Sequence, residues 1–164
     1  ILLRNTGTGK FVNVSEQCGN GLRPVKSSRG AAFDDLDNDG DIDAVILNAR
    51  SSPTLIRNDS SQGNHWLQIQ LQGTTSNRDG IGARVTVRTG ELQQIDEIHS
   101  GRSYQSDFGK RLHFGLGNQT HIDEIKVEWI GGDVDTLHHI QANQLCVIKE
   151  GQGLTQGRSS DPKP

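Results

Sequence analysis

The stretch FDDLDNDGDIDAVILN, residues 33–48, holds six aspartates within ten residues and then turns apolar. At a separation of about 4 Å and an effective dielectric of about 20, each pair of such charges repels by roughly 4 kcal/mol. The segment therefore needs a positive charge among its carboxylates. The run DAVILN that follows is rich in β-branched and apolar residues and has the length of one strand. The stretch predicts an acidic loop that leads directly into a β-strand.

The spacing of the aspartates indicates which positive charge the loop would hold. It matches the first nine positions of calcium-binding loops, in which carboxylates alternate, a glycine at position six permits a sharp bend, and position seven offers its backbone carbonyl. Gly40 stands at position six. Calcium accepts about six to eight oxygen ligands, whereas magnesium keeps several waters, so the pattern favours Ca²⁺. The five predicted metal ligands are Asp35, Asp37, Asp39, Asp41 through its carbonyl, and Asp43.

The loop is not that of an EF-hand. Position twelve, where an EF-hand has a bidentate glutamate, is Ile46, and a strand follows in place of a helix. Asp34 and the side chain of Asp41 are expected to face water. The alternative is an acidic solvated turn without a metal, which gives no reason for the alternation around Gly40.

Composition indicates a chain rich in turns and β-strands. Of 164 residues, 31% are hydrophobic, 4% are aromatic and 20 are glycine, so we expect one or two small domains with thin cores. The net charge of -3 suggests neither a nucleic-acid partner nor a membrane surface. No apolar run reaches the roughly 18 residues of a membrane span, and no signal peptide opens the chain.

A short internal repeat organises the first third of the chain. LLRN at residues 2–5 recurs as LIRN at residues 55–58, and a period of roughly 50 residues is that of a propeller blade or a similar β repeat. A propeller has about four to eight blades. Residues 1–62 are therefore predicted to be the end of a longer array, and the chain is expected to be a fragment or a processed product.

From Asn64 onward, apolar and polar residues alternate as in half-buried antiparallel strands. In WLQIQLQ, for example, Leu67, Ile69 and Leu71 share one face. Turn signals separate the strands at intervals typical of a sandwich. The prediction is an antiparallel β-sandwich at residues 63–150, followed by a polar, flexible tail at 151–164. The sandwich strands are predicted in ARVTVRTG, QQIDEIHS, RLHFGLG, EIKVEW, DTLHHI and QLCVIKE as well.

Two features leave alternatives open. Cys18 and Cys146 form either one disulfide or two buried thiols. Glycosylation sequons occur at Asn13, Asn58 and Asn118, and they matter only if the source glycosylates its proteins.

No motif for catalysis or transition-metal binding is complete. Ser103, Tyr104, Asp107 and His113 are residue types found in hydrolases, but no nucleophile elbow accompanies them. The adjacent His138 and His139 would face opposite sides of a strand, so they cannot chelate one zinc ion together, and a site with His99, His113 or His121 is disfavoured. We expect no enzyme activity.

The two tryptophans have two interpretations. Trp66 and Trp129 each border an alternating apolar strand. This position favours packing in a core or at a domain junction over an exposed platform for sugar stacking.

Two segments together resemble a known arrangement. GAAFDDLDNDGDIDAVILN followed by LIRN resembles the FG-GAP or VCBS calcium-binding repeat of integrin-like propellers. NHWLQIQLQGTTSNRDGIGARVTVRTG, SGRSYQSDFGKRLHFGLGN, IDEIKVEWIGG and QLCVIKE resemble the ASPIC/UnbV domain of the cartilage acidic protein family. The resemblance carries the calcium ligands to the same five aspartates. The chain contains only about one repeat, so the resemblance implies no complete propeller.

The resemblance implies a secreted or extracellular protein, with the cell surface and the periplasm as alternative locations. The expected function is a non-enzymatic, calcium-binding adhesion or interaction module, in which the ion stabilises the repeat and the sandwich presents loops to an extracellular protein or a glycan. The remaining repeats of a longer parent chain are a further expected partner. One alternative is a carbohydrate-binding appendage of a secreted enzyme, and another is an enzyme whose calcium is structural.

Overall fold

The computed structural model describes residues 1–60, 63–102, 104 and 106–159. The fold is all-β, and the helical segments among these residues are two short 3-10 turns at Ser15–Gln17 and Asn20–Leu22. In this part of the chain, no helix is long and apolar enough to span a membrane.

Residues 1–60 form two small antiparallel sheets. The first is a two-stranded ribbon, β1 (Leu3–Asn5) with β2 (Phe11–Asn13). The second is a three-stranded meander, β3 (Ser28–Asp34), β4 (Asp43–Asn48) and β5 (Ser51–Ile56). The first copy of the repeated tetrapeptide, LLRN, includes all of β1. The second copy, LIRN, begins in β5 and extends two residues beyond it. The acidic loop joins β3 to β4 as predicted, and the described residues contain no propeller.

The remaining strands form a sandwich of two four-stranded sheets. One sheet has the order β11-β10-β7-β8 and the other β13-β12-β6-β9. The strands are β6 (His65–Gln72), β7 (Arg84–Thr89), β8 (Leu92–Glu97), β9 (Arg111–Gly117), β10 (His121–Glu128), β11 (Val134–Gln141), β12 (Gln144–Lys149) and β13 (Gly153–Ser159).

The core of the sandwich lies between these two sheets, as the alternation predicted. Leu67, Ile69 and Leu71 of β6 are all buried, while Gln70 and Gln72 on the opposite face are exposed. Their partners come from both sheets and include Val85, Val87, Leu112, Phe114, Ile125, Val127 and Ile148. One face of β6 therefore packs in the core, and its other face can contact another part of the molecule.

The structure corrects two expectations about the sandwich. Strand β6 pairs with β12 in parallel, with Leu67 opposite Gln144, so the sandwich is not purely antiparallel. Parallel pairing requires a long connection, and here five strands lie between the two in sequence.

The predicted flexible tail is also partly wrong. Residues Gly153–Ser159 form β13 and pair with β12. An edge strand is held by its backbone hydrogen bonds, so low apolar content did not prevent it. Residues 160–164 of the predicted tail lie outside the described residues.

Both cysteines are free thiols. Cys18 is exposed in the N-terminal unit, and Cys146 is buried on β12 in the sandwich core. Burial raises the pKa of the Cys146 thiol to about 11. The disulfide alternative does not occur in this structure, and the alternative of two buried thiols is wrong for Cys18, which is exposed.

Candidate metal centre

Three of the predicted ligands converge in the loop between β3 and β4. Asp35, Asp37 and Asp39 each place one carboxylate oxygen so that the three atoms lie within 4.8 Å of one another. Asp35 is buried, Asp39 half-buried and Asp37 exposed. Three carboxylates this close repel strongly in the absence of a cation, and hard oxygen donors are the ligands that calcium prefers. The donor set therefore fits a calcium ion.

Backbone amides fold the loop around these carboxylates. Asp35 accepts hydrogen bonds from the Asp39 amide on Oδ1 at 3.0 Å and from the Gly40 amide on Oδ2 at 2.9 Å. Asp39 accepts one from the Asp41 amide at 2.9 Å. Gly40 has a φ of 97°, a value that glycine adopts without steric cost. The alternation of aspartates thus gives the loop its local fold as well as its charge.

The side chains of Asp43 and Asp41 lie outside the converging group. Asp43 is buried and accepts hydrogen bonds from the Leu36 amide at 3.0 Å and the Asn58 amide at 2.8 Å, so it connects the loop to the chain after β5. Asp41 accepts a hydrogen bond from Ser60 Oγ at 3.4 Å. The structure brings together the carboxylates of three of the five predicted ligands and gives the Asp43 side chain contacts elsewhere. The predicted ligand atom of Asp41 is its backbone carbonyl, and that assignment stays a prediction.

The environment of Asp35 opposes its ionisation. Burial raises the pKa of the Asp35 carboxyl, and the hydrogen bonds from Gly40, Gln68 and Asp39 lower it without cancelling that effect. A nearby cation would favour the ionised form.

The sandwich supplies a positive charge that the sequence analysis did not identify. Arg111, at the start of β9, forms a salt bridge from Nη2 to Asp34 Oδ1 at 2.8 Å and donates to the Asp35 carbonyl at 2.8 Å. Its Nη1 donates to Asn38 Oδ1 at 3.2 Å. The expectation that Asp34 faces water is therefore wrong, since Arg111 pairs with it. The alternating pattern of RLHFGLG placed Arg111 on the outward face but gave no sign of a partner so distant in sequence.

Trp66 and His113 cover the glycine of the loop from the same face of the sandwich. Their rings stack with centroids 6.1 Å apart and an interplanar angle of 15°. His113 Nε2 donates to the Gly40 carbonyl at 2.8 Å. Trp66 is 9% exposed, so of its two interpretations packing at the junction is confirmed.

Trp129 is also buried and does not offer a stacking face. It is 4% exposed, and its Nε1 donates to Asp135 Oδ2 at 2.8 Å. Neither tryptophan can therefore act as the sugar-stacking platform considered from the sequence.

The other candidate residues do not assemble into a second site in the described part of the chain. Tyr104 is exposed at the surface, Asp107 is exposed, and His113 is engaged with Gly40. Ser103 lies outside the described residues. No cluster of three His, Cys, Asp or Glu ligand atoms other than Asp35, Asp37 and Asp39 occurs within the ranges described.

Comparison with known protein families identifies the sandwich. The profile of the ASPIC and UnbV family matches residues 73–155, just over half of the chain. The chain belongs to the ASPIC and UnbV family. A search of curated proteins found no match. The family match runs from the loop after β6 into β13, so the FG-GAP or VCBS resemblance of residues 1–62 stays a prediction.

Within the ASPIC and UnbV region, Glu150 is a structural residue that the sequence analysis missed. Its Oε2 accepts hydrogen bonds from the amides of Thr74, Thr75 and Ser76 at 2.6, 2.8 and 2.9 Å. Burial alone would raise the pKa of the Glu150 carboxyl, but these three donors lower it to about 2. The carboxylate therefore fixes the loop after β6.

Proposed function

We propose that this member of the ASPIC and UnbV family is a non-enzymatic, calcium-binding interaction module of the extracellular space. Calcium orders the loop between β3 and β4 in an FG-GAP or VCBS-type repeat, and the sandwich presents loops to a protein or glycan partner. In a longer parent chain, further repeats of a propeller would pack beside residues 1–62.

The observation that carries the calcium function is the convergence of Asp35, Asp37 and Asp39 beside the bend at Gly40. Three carboxylate oxygens within 4.8 Å of one another supply half of the roughly six oxygens that calcium needs as a minimum. Backbone carbonyls and water would complete the shell. The secreted location and the interaction role come from the resemblance to extracellular calcium-binding repeats.

The carbohydrate-binding alternative is less well supported. It requires an exposed aromatic ring, and both tryptophans are buried. Tyr104 is 63% exposed, so it is the first aromatic residue to substitute if a glycan array shows binding.

A thermal unfolding series tests the calcium function directly. The protein is unfolded in excess EDTA, then over a calcium titration, with magnesium as the control cation. A ligand that binds only the folded state adds about 2.7 kcal/mol of stability when its free concentration is 100 times its dissociation constant. We expect a rise in Tm with calcium that magnesium does not reproduce. Equal midpoints in EDTA and in saturating calcium would overturn the proposed function.

Partner binding is tested separately, on arrays of extracellular proteins and glycans. We expect signals that are present in calcium and lost in EDTA, because the ion orders the unit that packs on the sandwich. Binding of equal strength in both buffers would contradict a role for calcium in partner recognition.

A further inference from the structure

The acidic loop is held by a side chain from the other half of the molecule. Gln68 lies on β6, on the face opposite the sandwich core, and it is only 2% exposed. Its Nε2 donates to Asp35 Oδ2 at 2.8 Å, and its Oε1 accepts a hydrogen bond from Arg111 at 3.4 Å. A buried glutamine with both ends engaged has a fixed side-chain orientation.

This contact determines how Asp35 presents its two oxygens. An ionised carboxylate offers about four acceptor positions. The hydrogen bonds from Gly40 and Gln68 occupy both acceptor positions of Oδ2. The hydrogen bond from the Asp39 amide occupies one of the two acceptor positions of Oδ1. These hydrogen bonds leave one acceptor position on Oδ1 for a metal ion. Without Gln68, the carboxylate would lose one of its three donors, the one that comes from the sandwich.

We propose that Gln68 is a positioning residue of the metal centre, a role that rests on the calcium function proposed above. Gln68 does not touch the ion and acts through Asp35. Calcium affinity is then set partly by the sandwich and not by the loop alone. Hydrogen bonds of this kind to metal-binding carboxylates change affinity by about 10- to 100-fold when they are removed.

The coupling works in both directions. If docking on β6 tightens calcium binding, calcium must tighten docking by the same factor. The contact between the N-terminal unit and the sandwich then depends on calcium, so the ion controls the relative order of the two halves as well as the loop.

Isothermal titration calorimetry on matched variants tests the role of Gln68. Gln68→Met keeps the length of the side chain and removes the donor, and Gln70→Met makes the same change two residues along on the same strand, where the glutamine is exposed. Titrations with calcium are run well below the Tm of each variant in EDTA. A merely structural role would lower that Tm and leave the affinity unchanged.

We expect Gln68→Met to weaken calcium binding about tenfold and Gln70→Met to leave it unchanged. If the wild type binds calcium and Gln68→Met binds within twofold of it, the inference is overturned while the proposed function stands. If the wild type does not bind calcium, both the inference and the proposed function are overturned.

Hydrogen exchange on the wild-type protein gives a second test that does not require Gln68→Met to fold. We expect calcium to slow exchange of amides in β6 and in the first half of β9, relative to those of β7 and β10 on the far sheet. Exchange in β6 and β9 that calcium leaves unchanged would overturn the inference.

Discussion

The indole ring of Trp66 occupies the space that a side chain at Gly40 would need. A Cβ built on Gly40 would lie 1.8 Å from Trp66 Nε1 and 2.2 Å from Cε2. The glycine therefore serves two purposes: it permits the bend at a φ of 97°, and it lets the sandwich approach the backbone of the loop. The spacing of the loop predicted the bend, whereas the close approach is a property of the folded molecule.

Gly40→Ala should destabilise the protein more than a substitution at a glycine that has open space around it. Overpacking costs about 1–3 kcal/mol and a left-handed alanine about 1–2 kcal/mol, so we expect a loss of about 3 kcal/mol in the free energy of unfolding. Gly9→Ala is the matched control, because Gly9 has a φ of 75° with no atom within 4 Å of a new Cβ. It should cost only about 1 kcal/mol. Equal losses in urea unfolding would show that Trp66 moves aside without cost.

Asp37 offers the cleanest test of the ligand assignment. It is exposed and belongs to the converging group, so Asp37→Asn removes a charged ligand without disturbing the core. We expect calcium affinity by calorimetry to fall by about tenfold or more, while the Tm in EDTA rises because one of three repelling charges is gone. Asp133→Asn, which removes an exposed charge from the turn between β10 and β11, is the control. Unchanged affinity in Asp37→Asn would exclude Asp37 as a ligand.

Asp39→Ala tests a second member of the group. It removes an inward carboxylate and also the acceptor for the Asp41 amide. We therefore expect a loss of calcium binding. A wild-type isotherm would refute the assignment of Asp39 as a ligand.

Local patterns were sufficient to predict much of the fold. The alternation in WLQIQLQ identified the buried face of β6 because side chains in a strand alternate between its two faces. The same reasoning found the loop and β4, since the signals lie within a few residues of one another. The parallel pairing of β6 with β12 and the edge strand β13 were missed, because strand partners far apart in sequence leave no local pattern.

The junction between the loop and the sandwich could not be predicted for the same reason. Gln68 and Arg111 each reach the loop from strands that follow it in sequence, and their residue types are ordinary for an outward strand face. The repulsion among the aspartates did require a positive charge. The structure supplies part of that charge through Arg111, and the proposed calcium ion would supply the rest.

The two thiols should differ in reactivity. Cys18 is exposed, whereas Cys146 is buried with a pKa raised to about 11, and the thiolate is the reactive form. Under native conditions at neutral pH, we expect iodoacetamide to modify Cys18 alone and to modify Cys146 only after unfolding in urea. Mass spectrometry of the intact protein, with Cys18→Ser as the control, measures the number of adducts. Rapid double labelling of the native protein would contradict the burial of β12.

Glu150 should make the folded protein less stable at acid pH. The pKa of its carboxyl lies at about 2 in the folded protein, below its ordinary value of 4.5, so the unfolded chain takes up a proton first as pH falls. The stabilising contribution is complete above about pH 4.5 and is lost as pH falls toward 2.

Glu150→Gln keeps an acceptor but removes the charge. We therefore expect it to lower the Tm at pH 7 and to flatten the decline in Tm between pH 5 and pH 2. Glu91→Gln, at an exposed position in the turn between β7 and β8, is the control. If Glu150→Gln and the wild type lose stability in parallel over this range, the three amides at residues 74–76 do not hold an ionised carboxylate.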